Sequence, residues 1–246
     1  MKHILLHSIL LLLKLNAFAQ GNPALVRNEN DDLAKDTVIR KDPNEAGREY
    51  WMILSTRGNV MQQGSKLNGE KDGVWREYLK GNGILTQLTE YRMGKKHGAS
   101  IKFSQLGQAT EDETYVNGIL EGKRTVYLSN GRVKTFENYS NGILTGEKRS
   151  YYENTKLQEE ANYKNGQRDG ISRWYKQDGN PTLEYTYVNG SIHGPSKEYG
   201  ENGELIKEGN YTNNEQEGEW KIYDKGILVQ KIVYRKGMLV KEMKVK

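Results

Sequence analysis

The sequence predicts an all-β chain: an elongated, single-layer antiparallel sheet of stacked β-hairpins, each about 24 residues long. Three observations carry that prediction. Glycines recur at Gly73, Gly98, Gly122, Gly146, Gly170, Gly194 and Gly218, one gap of 25 residues followed by five of 24. Tyrosines recur on the same clock at Tyr91, Tyr115, Tyr139, Tyr163, Tyr187, Tyr211 and Tyr234. A second aromatic column follows each glycine by five residues, at Tyr78, Phe103, Tyr127, Tyr151, Tyr175, Tyr199 and Tyr223. Self-similarity at a fixed period of this size is the mark of a repeat architecture.

Read from the N-terminus, the chain opens on an export signal. Lys2 precedes an apolar run from Ile4 to Leu13, and Ala17-Phe18-Ala19 supplies a small-x-small cleavage site before Gln20. Lys14 ends the run short of the roughly 20 apolar residues a membrane span requires. Residues 1–19 are therefore a predicted signal peptide, and the mature chain is expected in the periplasm or outside the cell. Residues 20–46 read as a flexible polar leader, with Val38-Ile39 the one segment that could pair as an edge strand.

The array is expected over 47–246. Residues 47–69 look like a degenerate cap, seven repeats fill about 70–238, and 239–246 supply a final strand whose lysines blunt an open edge. Asn-Gly at 117–118, 130–131, 141–142, 165–166, 189–190 and 202–203 offers the positive φ angles of tight hairpin turns. Simple alternation from Tyr91 places Thr89, Gln87 and Leu85 on one sparingly apolar face, with Thr86, Leu88 and Glu90 on a wet one. Only 35% of the 246 residues are hydrophobic, so there is no large aliphatic core. Tyrosine takes the place of leucine, since one ring covers about 150–250 Å².

The chemistry-bearing residues offer no active site. With no cysteine, thiolate ligands and cysteine nucleophiles are excluded. His97 and His193 precede repeat glycines four units apart, roughly 38 Å at strand spacing, too far to share a metal. They belong to a column Asp72, His97, Glu121, Thr145, Asp169, His193, Glu217, read as polar turn positions that cap their own backbone. The carboxylates at Glu111-Asp112-Glu113, Glu159-Glu160 and Glu215/Glu217 alternate in direction or lie in water, which leaves no shielded acid. No phosphate loop or nucleophile elbow occurs. Neither catalytic, metal nor cofactor residues are expected, so the chain is expected not to be an enzyme. A net charge of +5 interleaved along the sequence forms no basic patch for nucleic acid, and no apolar or basic face for membrane beyond the export signal. The off-column aromatics Trp75, Tyr152, Trp174 and Trp220 are the expected contacts for a protein partner.

Three stretches resemble one family. Gly-Glu-Trp-Lys-Ile-Tyr at 218–223, Asn202-Gly203-Glu204-Leu205 with Glu208-Gly209-Asn210-Tyr211, and the run from Tyr163 to Gly170 are similar to the unit of the MORN-repeat variant family. The likeness covers about 68–238, with departures at Thr155, Pro181 and Asn214. It implies the stacked-hairpin sheet described above and a non-catalytic scaffold. Bacterial members are often filed as antitoxins of toxin–antitoxin pairs, which makes an immunity-like role the alternative that the resemblance implies.

Overall fold

The computed structural model describes residues 24–26 and 36–245. The predicted signal segment and about half of the leader, residues 20–23 and 27–35, lie outside the described residues. Among the described residues there are twenty-one strands in one sheet, and no helix. Every strand pairs antiparallel with its neighbours in sequence, from Ala24–Val26 against Thr37–Lys41 to Ile227–Arg235 against Met238–Lys244. Two rungs are each interrupted by one residue: Glu70–Lys71 with Gly73–Tyr78, and Ile143–Leu144 with Gly146–Tyr151. The meander is about 85 Å long at the usual strand spacing.

The array starts earlier than the composition suggests. Thr37–Lys41 lies inside the polar stretch read as leader, yet it is a strand in register with Arg48–Leu54, with Val38 opposite Met52 and Ile39 opposite Trp51. Val38 and Ile39 find apolar partners only across the strand, where local composition does not register them. Arg48–Leu54 and Val60–Leu67 form the hairpin expected of the cap.

The repeat clock becomes a register. Each repeat glycine is the direct cross-strand partner of the following tyrosine: Gly73 with Tyr91, Gly98 with Tyr115, Gly122 with Tyr139, Gly146 with Tyr163, Gly170 with Tyr187, Gly194 with Tyr211 and Gly218 with Tyr234. On its other side the glycine strand bulges. Glu121, Gly122 and Lys123 together face the single Thr114, because Tyr115 pairs with Leu120 and Glu113 with Arg124. Gly122 sits at φ +85°, a backbone conformation that a side chain would strain, so glycine is needed at the bulge.

Turns are stapled from one unit to the next. Asn117 and Gly118 both have positive φ, 52° and 87°, as a type I′ hairpin turn requires. The Gly118 N–H then donates to the Lys96 carbonyl in the preceding unit at 2.7 Å. The same bond recurs from Gly142 to Leu120, Gly166 to Leu144 and Gly190 to Arg168. Asn214 occupies the glycine position of its turn at φ +69°, and its N–H donates to Ile192 in the same way. At the opposite edge, loops such as Ser104–Gln108 close through Gly107, where Gly131, Gly179 and Gly203 are the equivalents. Thr155 fills that place in one unit, at φ +68°.

A second bulge in every unit moves the aliphatic column to the other face. Glu77 pairs with Gln87 but Tyr78 pairs with Leu85, so Thr86 is the extra residue. Directly opposed residues share a face. Leu85, Ala109, Val133, Leu157, Leu205 and Leu228 therefore accompany Tyr78 and its column rather than Tyr91 and its column. Each face of the sheet carries one aromatic column.

Candidate interaction surface

The face with Tyr91 holds a buried central row. Trp75, Thr89, Ser100, Glu113, Glu137, Ala161, Ser172, Ser196 and Trp220 are all buried, and they are linked rung to rung by pairs such as Trp75 with Thr89 and Ser100 with Glu113. At both ends of the row an indole lies on a glycine. A Cβ on Gly64 would approach Trp75 Cδ2 to 2.4 Å, and one on Gly209 would approach Trp220 Cδ2 to 2.2 Å. Trp75 Nε1 donates to the Ser65 carbonyl at 2.8 Å, whereas Trp220 Nε1 is buried without a protein acceptor among the described residues. Around Trp220 the rings meet edge to face: Tyr211 at 5.2 Å and Tyr234 at 6.2 Å, with Tyr185 at 5.8 Å from Tyr211.

This burial corrects two of the four expected contacts. Trp75 is 2% exposed and Trp220 0%, because each packs down on a glycine instead of projecting from the sheet. A partner could not reach either. Tyr152 and Trp174 remain half-buried. The Tyr152 hydroxyl donates to the Tyr175 carbonyl at 2.7 Å, next in chain to Trp174. Trp174 lies under the Arg168 guanidinium at 5.0 Å and meets Tyr185 edge to face at 5.9 Å, which extends the ring cluster of Trp220 towards the middle of the sheet.

The middle of the buried row is ionic. Arg124 Nη1 donates to Glu137 at 2.8 Å and Arg124 Nε to Glu111 at 2.9 Å, with a Glu113 oxygen 3.4 Å from Nε. Tyr115 and Tyr139 donate their hydroxyls to Glu113 and Glu137 at 3.0 and 3.1 Å. Lys102 and Lys148 complete the set against Glu111 and Glu137. Burial pushes the Glu111 carboxyl up, but the bonds from Lys102 and Arg124 outweigh it and hold the group below its ordinary value. Burial, together with the Glu113 carboxylate, pushes Tyr115 up to about 12. The shielded glutamates Glu113 and Glu137 contradict the expectation that this region is solvated, yet each is held by an arginine and a tyrosine. Glu159 and Glu160 are likewise engaged, by Arg168 and by Arg173 with Tyr175. Among the described residues no group of three or more histidines and carboxylates could hold a metal ion.

The pre-glycine column caps the neighbouring unit, not its own. Glu121 accepts from the Asn141 N–H at 2.6 Å, Asp169 from Asn189 at 3.1 Å and Glu217 from Lys236 at 2.8 Å, each about one repeat further on. His97 does the same through Nδ1 to the Asn117 N–H at 3.4 Å. His193 lies 3.4 Å from the Asn213 side chain, so both histidines are turn ligands.

The opposite face carries a charge ladder that the sequence reading did not single out. Arg149, Glu160, Arg173, Glu184, Lys197, Glu208 and Lys221 are consecutive cross-strand partners. Arg173 bridges Glu160 at 3.1 Å and Glu184 at 2.6 Å, and Lys221 lies 3.4 Å from Glu208. Tyr175 and Tyr223 donate to Glu160 and Glu208 at 2.9 and 2.7 Å from the adjoining aromatic margin. That margin pairs Tyr175 with Pro181, Tyr199 with Leu205 and Tyr223 with Leu228. The signal was available over this part of the chain: basic residues three after Gly146, Gly170, Gly194 and Gly218, and acidic residues three before Tyr163, Tyr187 and Tyr211.

A family model agrees with this architecture over part of the chain. The MORN repeat variant family matches three consecutive units, residues 144–165, 168–189 and 192–213. No curated protein matches the chain. Among solved structures, a chain of the Photorhabdus luminescens Tc holotoxin pore aligns at 13% identity and a TM-score of 0.21. The alignment covers 84% of this chain but 14% of that one. The matched units share the glycine–tyrosine register of the rest of the array, and over those three units the chain is built of MORN-variant repeats.

Proposed function

We propose that the protein is an exported, non-catalytic scaffold that binds a protein partner through the face bearing the charge ladder. The observation that carries this reading is the ladder itself, seven residues of alternating sign from Arg149 to Lys221 beside an aromatic–aliphatic margin. Alternating charge fixes register and rejects wrong partners more than it adds affinity. The aromatic margin supplies the apolar area that binding needs. The opposite face is occupied by its own rings and ion pairs. The signal segment favours a location beyond the inner membrane, and a partner that is itself exported.

Envelope extracts passed over the tagged mature chain, with mass spectrometry of what is retained, test the binding. One protein should co-purify with the wild type and be lost from the E184K/K197E double variant, whose circular dichroism is unchanged. Retention by both proteins would remove the ladder from consideration. If the retained protein is a toxic effector that the chain neutralises, the immunity-like alternative gains. Fractionation tests export separately: a processed form beginning at Gln20 is expected in the envelope or medium, and an intact N-terminus in the cytoplasm would refute it.

A further inference from the structure

Eight Asn-Gly dipeptides occur in the chain, at 68, 82, 117, 130, 141, 165, 189 and 202. Such a pair can cyclise when the glycine nitrogen is free and the asparagine side-chain carbonyl is held near it. The fold removes one or both conditions at seven of the eight. In the stacked turns, Gly118, Gly142, Gly166 and Gly190 commit their N–H groups to the preceding unit at 2.7–2.9 Å. Gly131 and Gly203 commit theirs within their own loops, to Leu128 at 2.9 Å and Gly200 at 3.2 Å. Gly69 N–H has no protein acceptor among the described residues, but Asn68 is in the left-handed region at φ +51° and its side chain lies against Gly47.

Asn82 differs in combining an Asx turn, which Asn130 also forms, with a glycine N–H that bonds to nothing in the protein among the described residues. Its Oδ1 accepts from the Ile84 N–H at 3.2 Å, the Asx-turn arrangement that polarises the side-chain carbonyl and folds it over the next peptide. The Gly83 N–H has no protein acceptor among the described residues. The segment Gly81–Asn82–Gly83 is exposed and has a second glycine on its other flank.

We infer that Asn82 is a site of spontaneous deamidation, and that the inter-unit turn bonds protect the asparagines of the stack from the same reaction. The Gly83 nitrogen attacks Asn82 Cγ. The N–Cγ bond forms, the Cγ–Nδ2 bond breaks, and the amide leaves as ammonia carrying the Gly83 proton. Water then opens the five-membered imide at either carbonyl, leaving aspartate or an isoaspartyl linkage. Nothing is oxidised, and water is the one co-reactant. The product places a new carboxylate at the edge of the sheet.

Incubating the mature protein in mildly alkaline buffer and following its tryptic peptides by mass spectrometry tests the inference. The peptide 81–92 holds Asn82 as its one asparagine. It should convert about tenfold faster than peptides carrying Asn117, Asn141, Asn165 or Asn189, the factor that losing one backbone hydrogen bond supplies. In denaturant the rates should converge. Equal rates in the folded protein overturn the proposal, and so does an Asn82 lead that persists undiminished in denaturant. N82Q supplies the reference, with no mass change expected in that peptide over the same period.

Discussion

Trp220 lies face-on against the backbone of Gly209, so close that a Cβ at position 209 would fall 2.2 Å from the indole Cδ2. Gly209 is not in a left-handed conformation, so it is required for space alone. Gly218, two residues from Trp220, is the reverse case, with φ +73° and nothing within 4 Å of where a methyl would sit. G209A should cost about 3 kcal/mol by forcing the ring out of the row. G218A should cost about 1–2 kcal/mol through backbone conformation. Urea midpoints of the two variants check the order, and tryptophan fluorescence should shift only in G209A.

Thr155 stands in the left-handed region at φ +68°, where equivalent loops use Gly107, Gly131, Gly179 and Gly203. It is exposed, so its side chain offsets little of that strain. T155G should raise stability by about 1 kcal/mol, measured by the same denaturation curve.

Glu121 caps the turn of the following repeat through the Asn141 N–H at 2.6 Å. E121A should lower stability by about 1 kcal/mol. Its specific signature is a loss of hydrogen-exchange protection at Asn141 and Gly142, about one unit away, with the turn at Asn117 unaffected.

Acid and alkali should each weaken the fold for identifiable reasons. Glu111 and Glu208 have carboxyls held below the ordinary value of 4.5, the first by bonds to Lys102 and Arg124 that outweigh burial, the second chiefly by the Tyr223 hydroxyl. Their contribution is complete above that value and is lost as pH falls through the lower folded pKa. At the other extreme, Tyr115, Tyr175 and Tyr185 are pushed up to about 12, first by burial. Being held neutral, they stabilise fully below pH 10 and lose that contribution as pH rises towards 12. A pH series of urea midpoints should decline on both flanks, and tyrosinate absorbance should lag that of the denatured chain.

The rhythm of the array was legible because one residue type at one interval has one physical meaning. Gly122 and Tyr139 are seventeen residues apart in sequence yet are cross-strand neighbours, and the period carries that pairing into every other unit. What the interval does not encode is direction out of the sheet. Leu85 changes face through the bulge at Thr86, which no alternation count registers. Trp75 and Trp220 look like exposed aromatics until Gly64 and Gly209 are seen opposite them. Likewise, a capping residue looks the same in sequence whether it serves its own turn or the next. Only the stacking of rungs shows that Glu121 belongs to Asn141. The charge ladder was visible as two columns, but their fusion into a single row depends on the cross-strand register.

The bond from Gly118 N–H to the Lys96 carbonyl has its counterpart at each successive turn, so every junction between units presents the same chemistry. Excising one 24-residue period between matching positions would rejoin surfaces that already fit. The chain is thus a ruler graduated in steps of about 10 Å. Adding or losing a graduation changes how far each face of the sheet extends while leaving its local character intact.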